Sequence, residues 1–210
     1  MIRVCLLLAL TVLLLGSSVQ GSEPGRFSIN YMQRLHFVNF QDFADIQDQS
    51  LPRLKDNTRF HGMRLEGTIT DDIIVGLYAN GSLNDSRNNN GYTSFGGGVG
   101  VVTIEKRYYL PGNCFAGLGF GLGCSRFTYS SAKWDGSESI TSNTDAIFGE
   151  PGVKLGYIFW KKLILIIDAS YMLDIAGNRY TVGAENIPDV FPEGWFAGVS
   201  IGYYFPYPGK

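Results

Sequence analysis

Hydrophobic and polar positions alternate most regularly in residues 114–124, where a bulky or apolar residue is followed repeatedly by glycine. Successive side chains of an extended strand point to opposite faces, so the segment predicts one apolar and one nearly bare face. The two faces are Ala116, Leu118, Phe120 and Leu122 against Gly117, Gly119, Gly121 and Gly123. Glycine weakens a strand, and its regular recurrence favours a narrow closed barrel with lipid outside and a crowded lumen inside.

Turn signals divide the chain that follows the N-terminal apolar run into eight predicted strands. They are residues 26–40, 59–70, 73–83, 93–109, 114–130, 144–159, 163–174 and 195–205. Long connections, residues 41–58, 84–92, 131–143 and 175–194, alternate with short turns after residues 70, 109 and 159. This asymmetry is typical of an antiparallel, all-β transmembrane barrel with short periplasmic turns and longer outer loops.

Seven of the eight predicted strands keep one apolar face and one polar or small face along their length. The fourth loses phase at the adjacent residues Val101 and Val102, where we expect a β-bulge to restore the alternation. The charged side chains on the inward parity are Arg34, Arg64, Glu66, Glu105, Arg107, Glu150, Lys154 and Asp168, with Glu105 and Arg107 inward only if the bulge exists.

An eight-stranded barrel is just wide enough for its interior to be filled by side chains. Unpaired charges there would be very costly, so the inward charges are expected to form a network of ion pairs centred on Arg64 and Glu66. The network would plug the lumen; a narrow path for ions or small solutes is the alternative.

Aromatic residues at or near the predicted strand ends would form girdles at the two membrane interfaces. They are Tyr31, Phe37, Tyr108, Tyr157, Phe159, Trp160, Tyr203 and Phe205.

The N-terminus predicts a secretory signal peptide over residues 1–21: one arginine, an apolar run of about 11 residues and a small-residue exit. Its removal takes Arg3 and leaves 16 basic against 19 acidic residues, a balance that argues against nucleic-acid binding. Cys114 and Cys124 would lie roughly 33 Å apart on one strand, too far for a disulfide between them.

Residues 22–210, and above all the closing strand at residues 198–205, resemble the small eight-stranded outer-membrane barrels of Gram-negative bacteria, the OmpA/OmpX-like and porin-family β-barrel domains. The resemblance implies a place in the cell outer membrane among its lipids. It also implies that the barrel-insertion machinery reads the terminal aromatic, although Phe205 is followed here by five more residues. The role it implies is structural or at the cell surface, with outer loops free to meet an extracellular ligand.

Two other classes of barrel are alternatives to this one. A lipid-modifying barrel enzyme would need a histidine, a serine and an acid near the outer leaflet, for which the candidates are His36, His61, Ser50, Ser86, Asp45 and Asp48. Their spacing matches no motif, so we expect no enzyme. A soluble lipocalin-like carrier would turn the apolar face inward. No motif for a metal or cofactor stands out.

Overall fold

A computed structural model describes residues 27–37, 49–55, 57–182 and 193–205 as a closed barrel in which every neighbouring pair of strands is antiparallel. The predicted fold class is confirmed. The strands are β1 Phe27–Phe37, β2 Asn57–Thr68, β3 Ile73–Arg87, β4 Gly91–Leu110, β5 Cys114–Lys133, β6 Ser139–Phe159, β7 Leu163–Val182 and β8 Gly194–Phe205. Within these ranges no helix is long and apolar enough to cross a membrane.

The strands end where predicted at the short turns but run past the predicted limits at the opposite end. The connection between β3 and β4 is only residues 88–90 rather than 84–92, and that between β5 and β6 is 134–138 rather than 131–143. Strand β7 continues to Val182, inside the predicted loop 175–194. The predicted loops were too long. The outward residues there are polar, as loop residues usually are, but they belong to strands and pair with the neighbouring strand.

The paired polar residues form a ladder along the outer face of β5 and β6. Arg126 donates two hydrogen bonds of 2.6 Å to the carboxylate of Asp145. Directly above it, the hydroxyl of Thr128 donates to Asn143 Oδ1 at 2.7 Å. The ladder shows that this part of the wall faces a polar medium.

Several predictions fall on residues outside the described ranges. They are the signal peptide 1–21, residues 41–48 and 56 of the first outer loop, residues 183–192 of the last one, and the C-terminal residues 206–210.

Below the polar ladder, the apolar parity points outward as predicted. Leu118 is 58% exposed, and Leu155 on β6 and Ile167 on β7 are similarly open. This orientation contradicts a lipocalin-like barrel, which would bury these side chains. Cys114 carries a free thiol, as expected if it cannot reach Cys124.

The predicted bulge at Val101 and Val102 was wrong. The register of β4 with both β3 and β5 runs unbroken through these residues, so Val101 points into the lumen and Val102 outward. The valines are adjacent because the lumen accepts an apolar side chain here. The register shift lies instead between β6 and β7, at Ile147 and Phe148, where Ile175 is the extra residue.

Candidate functional site in the barrel lumen

The interior of the barrel is filled in three layers along its axis. The layer at the short-turn end is apolar and consists of Phe115, Ile164, Ile166 and Tyr204, with Ile158 packed against it. The middle layer contains charges and the third layer is rich in aromatic side chains. Strand β5 borders all three layers: Phe115 lies in the first, the glycines face the second and Phe127 lies in the third.

Four charged side chains close a ring of ion pairs next to the short-turn layer. Arg107 donates to Glu105 Oε1 at 2.9 Å and to Glu66 Oε2 at 3.0 Å. Lys154 Nζ donates to the second oxygen of each carboxylate, at 2.9 Å for Glu66 and 2.6 Å for Glu105. Each acid therefore contacts both bases, and the charges cancel. The Arg107 guanidinium also lies 4.0 Å from the ring centre of Phe115, which joins the two layers.

A second cluster lies nearer the aromatic layer and is organised by Arg34. Its guanidinium contacts Glu150 at 2.8 Å, Asp168 at 3.0 Å and the hydroxyl of Tyr78 at 3.0 Å. Tyr78 and Ser170 both donate hydrogen bonds to Glu150, and Ser170 also accepts one from Arg34. All five side chains are buried. The Glu150 carboxylate thus accepts hydrogen bonds from three donors, which hold it in a single orientation.

Arg64 connects the two clusters through longer ion pairs. It lies 3.6 Å from Asp168 and 4.0 Å from Glu66, and its Nε and Nη1 atoms have no hydrogen-bond partner. A cavity of about 30 Å³ beside it is lined by Arg64, by Asp168 and by Gly119 and Gly121. This volume is enough for one or two water molecules, which would satisfy the remaining donors.

The glycines of β5 make room for these side chains, as the alternation predicted. A Cβ atom added at Gly117 would lie 2.3 Å from the carboxylate of Glu105. One added at Gly121 would lie 2.7 Å from Val101 and 3.4 Å from the Cβ of Glu150. The bare face is therefore a complement to the bulk that neighbouring strands project into the lumen.

The third layer was missed by the sequence analysis, which expected a polar and small-residue interior. It contains Met32, Phe60, Tyr78, Phe95, Val99, Val101, Phe127, Tyr129, Phe148, Met172 and Phe196. A signal was present: after Ser125 the apolar residues of β5 change parity, from Leu122 and Cys124 to Phe127 and Tyr129. Above that point the inward Phe127 and Tyr129 are aromatic, and the outward Thr128 and Ser130 are polar.

All eight charged residues predicted for the lumen point into it and take part in one network of ion pairs. Glu105 and Arg107 do so without a bulge. The two histidines lie on opposite faces of the wall: His36 is fully buried and stacked on Phe196 at 4.0 Å, and exposed His61 contacts Tyr31. Asp45 and Asp48 are outside the described residues.

The predicted aromatic residues are all exposed on the outer surface, and most lie at the short-turn end. Those at this end are Tyr108, Tyr157, Phe159, Trp160, Tyr203 and Phe205, with Phe27 packed on Phe205 at 5.9 Å. Phe37 ends β1 on the opposite side. Tyr31 does not lie at a strand end: it is in the interior of β1, where its hydroxyl is 2.9 Å from His61 Nδ1.

The short turn between β2 and β3 is held by polar groups. Thr70 donates a hydrogen bond of 2.9 Å to Asp72 and thereby lowers the pKa of that carboxyl group. Lys106 lies 3.5 Å from the same carboxylate.

No protein-family model matches the chain, and no curated protein matches it in sequence. Solved structures do match. Outer membrane protein OprG of Pseudomonas aeruginosa is 16% identical, with a TM-score of 0.55 over 90% of this chain and 99% of its own. The N-terminal β-barrel domain of OprF from the same organism is 14% identical, with a TM-score of 0.51 over 87% and 100%. Ail, the attachment invasion locus protein of Yersinia pestis, was solved with the heparin analogue sucrose octasulfate and is 12% identical, with a TM-score of 0.52 over 86% and 97%.

These likenesses establish the fold: the chain is a small eight-stranded β-barrel of the kind found in outer-membrane proteins. The fold agrees with the family resemblance inferred from the strand pattern.

Proposed function

We propose that this protein is exported to the outer membrane and spans it as a closed barrel, with a structural or surface-interaction role rather than a conducting or catalytic one. The observation that carries the proposal is the buried network in the lumen, in which four bases and four acids are paired. Ions entering such a lumen would have to break these pairs.

The outer surface supports insertion in lipid. The apolar outward face of β5 extends from Cys114 to Cys124. Ten steps along a strand tilted by about 40° span roughly 25 Å, the height of the lipid-facing band of outer-membrane barrels. Lipid would surround this band, and Phe205 at the end of β8 is available as the aromatic that the barrel-insertion machinery reads.

A role at the cell surface is supported by the length of the strands beyond the band. Strand β5 continues for nine residues after Cys124, roughly 23 Å at the same tilt. The outward side chains of this extension are polar, so it would present a β-surface to water and to an extracellular ligand.

Insertion is tested by fractionating cells that express the chain and running the outer-membrane proteins on gels with and without boiling. We expect the chain in that fraction, with a heat-dependent change in migration. Its recovery as a soluble protein without detergent would refute the proposal.

Closure is tested by conductance in planar bilayers. The wild-type barrel should stay near leak, whereas Glu66→Ala combined with Lys154→Ala should open a measurable path by removing half of the closed ring. Asp85→Ala with Arg87→Ala, an exposed pair on the extension, is the matched control and should stay closed. Wild-type conductance well above leak would favour the narrow pore instead.

A further inference from the structure

Three polar side chains are clustered on the outer face of β1 and β2, next to the apolar Val199 of β8 and the charged Arg59 of β2, both of which also face outward. The Tyr31 hydroxyl is 2.9 Å from His61 Nδ1, and Gln33 Nε2 donates to the Tyr31 oxygen at 3.2 Å. Gln33 and His61 are direct partners in the strand register. All three are exposed on the outward face. We refer to Tyr31, Gln33 and His61 as the outer polar cluster.

The cluster lies at the depth of the membrane interior if the barrel is inserted as proposed above. Strand β1 has 11 residues and begins and ends with outward phenylalanines, Phe27 and Phe37. Because a tilted strand needs about nine to eleven residues to cross the hydrocarbon, the middle of β1 is near the middle of the bilayer. Tyr31 and Gln33 occupy that middle.

The hydrogen bonds inside the cluster leave some of its polar groups without a partner. With the Tyr31 hydroxyl donating to His61 Nδ1, the neutral imidazole carries its own proton on Nε2. Two groups remain without a partner among the described residues: His61 Nε2–H as a donor and Gln33 Oε1 as an acceptor.

Acyl chains cannot satisfy these two groups, and an unpaired polar group in hydrocarbon is costly. A partner that supplies an acceptor and a donor at the same depth would satisfy both groups. A second copy of the chain does so by symmetry, because a two-fold axis along the membrane normal keeps every residue at its own depth. His61 of each copy can then donate to Gln33 of the other.

The wall beside the cluster allows such an approach. The outward residues of β3 and β4 next to it are Ala79, Gly81, Gly98 and Gly100. A Cβ atom added at Gly100 would meet nothing within 4 Å, so the surface there is shallow and open. Small residues permit close packing between elements in membranes.

We propose that two copies of the chain associate in the membrane through the outer polar cluster and the small-residue strip beside it. The interface is isologous, and two reciprocal hydrogen bonds between His61 and Gln33 form its centre. The proposal rests on the membrane insertion proposed above.

The test is sedimentation equilibrium of the barrel purified from the outer membrane, in a density-matched detergent. We expect a monomer–dimer equilibrium for the wild type. The double variant Gln33→Leu, His61→Leu should raise the dimer dissociation constant at least tenfold, and Gly100→Leu should weaken it by obstructing the strip. The double variant Val153→Leu, Ile167→Leu, on β6 and β7, is the control and should leave it unchanged.

Each variant is first checked for heat-dependent gel migration, which reports folding independently of association. A wild-type barrel that is folded but monomeric at every concentration would overturn the dimer alone, whether or not another protein copurifies with it. A dimer that is unaffected by the Gln33 and His61 substitutions would overturn it equally. Failure to fractionate with the outer membrane would instead refute the proposed insertion.

Discussion

The part of the barrel near the short turns and the part beyond residue 125 of β5 are built with the same alternation in opposite senses. In the first part leucines such as Leu118 face outward, while glycines and charges face inward. In the second part Phe127 faces inward, and Arg126 and Thr128 face outward. We infer that the external medium changes from lipid to water at this level.

The comparison shows that the apolar face of a strand is determined by what surrounds it. Where the outer face is apolar, the lumen can hold charges because they are paired and enclosed between two apolar layers. Where water covers it, the wall needs a hydrophobic interior like that of a soluble barrel. The following substitutions test the contrast, from the largest expected effect to the smallest.

Glu66→Gln should be the most destabilising of these changes. It removes one carboxylate from the closed ring and leaves Arg107 and Lys154 buried with one acid between them. Breaking a buried pair from one side costs about 3–5 kcal/mol. The measurement is urea unfolding of the barrel in detergent micelles. As a control, Asp72→Asn affects an exposed pair with Lys106 and should change stability far less. Equal losses for the two variants would contradict the importance of the buried ring.

Phe127→Ala should cost nearly as much, about 3–5 kcal/mol, because it opens a cavity in the aromatic layer. Phe120→Ala on the same strand is the matched comparison. Phe120 is 47% exposed on the outward face below the level of Arg126, so its loss opens no cavity in the lumen and should cost less than about 1 kcal/mol. Both variants are measured side by side, by urea unfolding of the barrel in lipid vesicles. A reversed order would contradict the assignment of the two regions.

Leu118→Lys should be destabilising by about 2–4 kcal/mol in lipid vesicles, the cost of a lysine near the bilayer midplane. Ser130→Lys places the same charge on the outward face of the extension and should change stability by less than about 0.5 kcal/mol. If both variants were equally tolerated, lipid would not contact Leu118 and the inferred boundary would be wrong.

Gly121→Ala should cost about 1–3 kcal/mol through overpacking, since its new Cβ would lie 2.7 Å from Val101. Gly100→Ala adds the same atom on the outward face, where nothing lies within 4 Å. It should be neutral or stabilising by up to about 1 kcal/mol, because alanine restricts the unfolded chain more than glycine does. If the two substitutions changed stability equally, the glycines of β5 would not be there to make room for side chains in the lumen.

Much of the lumen could be predicted from parity, because a strand has only two faces and a charge is far cheaper inside a paired network than in lipid. This reasoning located Arg34, Arg64 and Glu66 inside the barrel. It failed at Val101, where the assumption of a wholly polar interior demanded a bulge. It also missed the aromatic layer, since inward phenylalanines conflict with a single rule applied along the whole strand.

Sequence alone determined the number of strands, the positions of the short turns and the inward set of charges. Each follows from local information: turn residues, period-two alternation and the sign of each side chain. The partners of those charges were decided by the register and closure of the barrel, which bring Lys154 of β6 between Glu66 of β2 and Glu105 of β4. The lengths of the outer strands were likewise decided by pairing between strands, because polar residues such as Thr128 and Asn143 become a ladder only when a neighbouring strand lies opposite them.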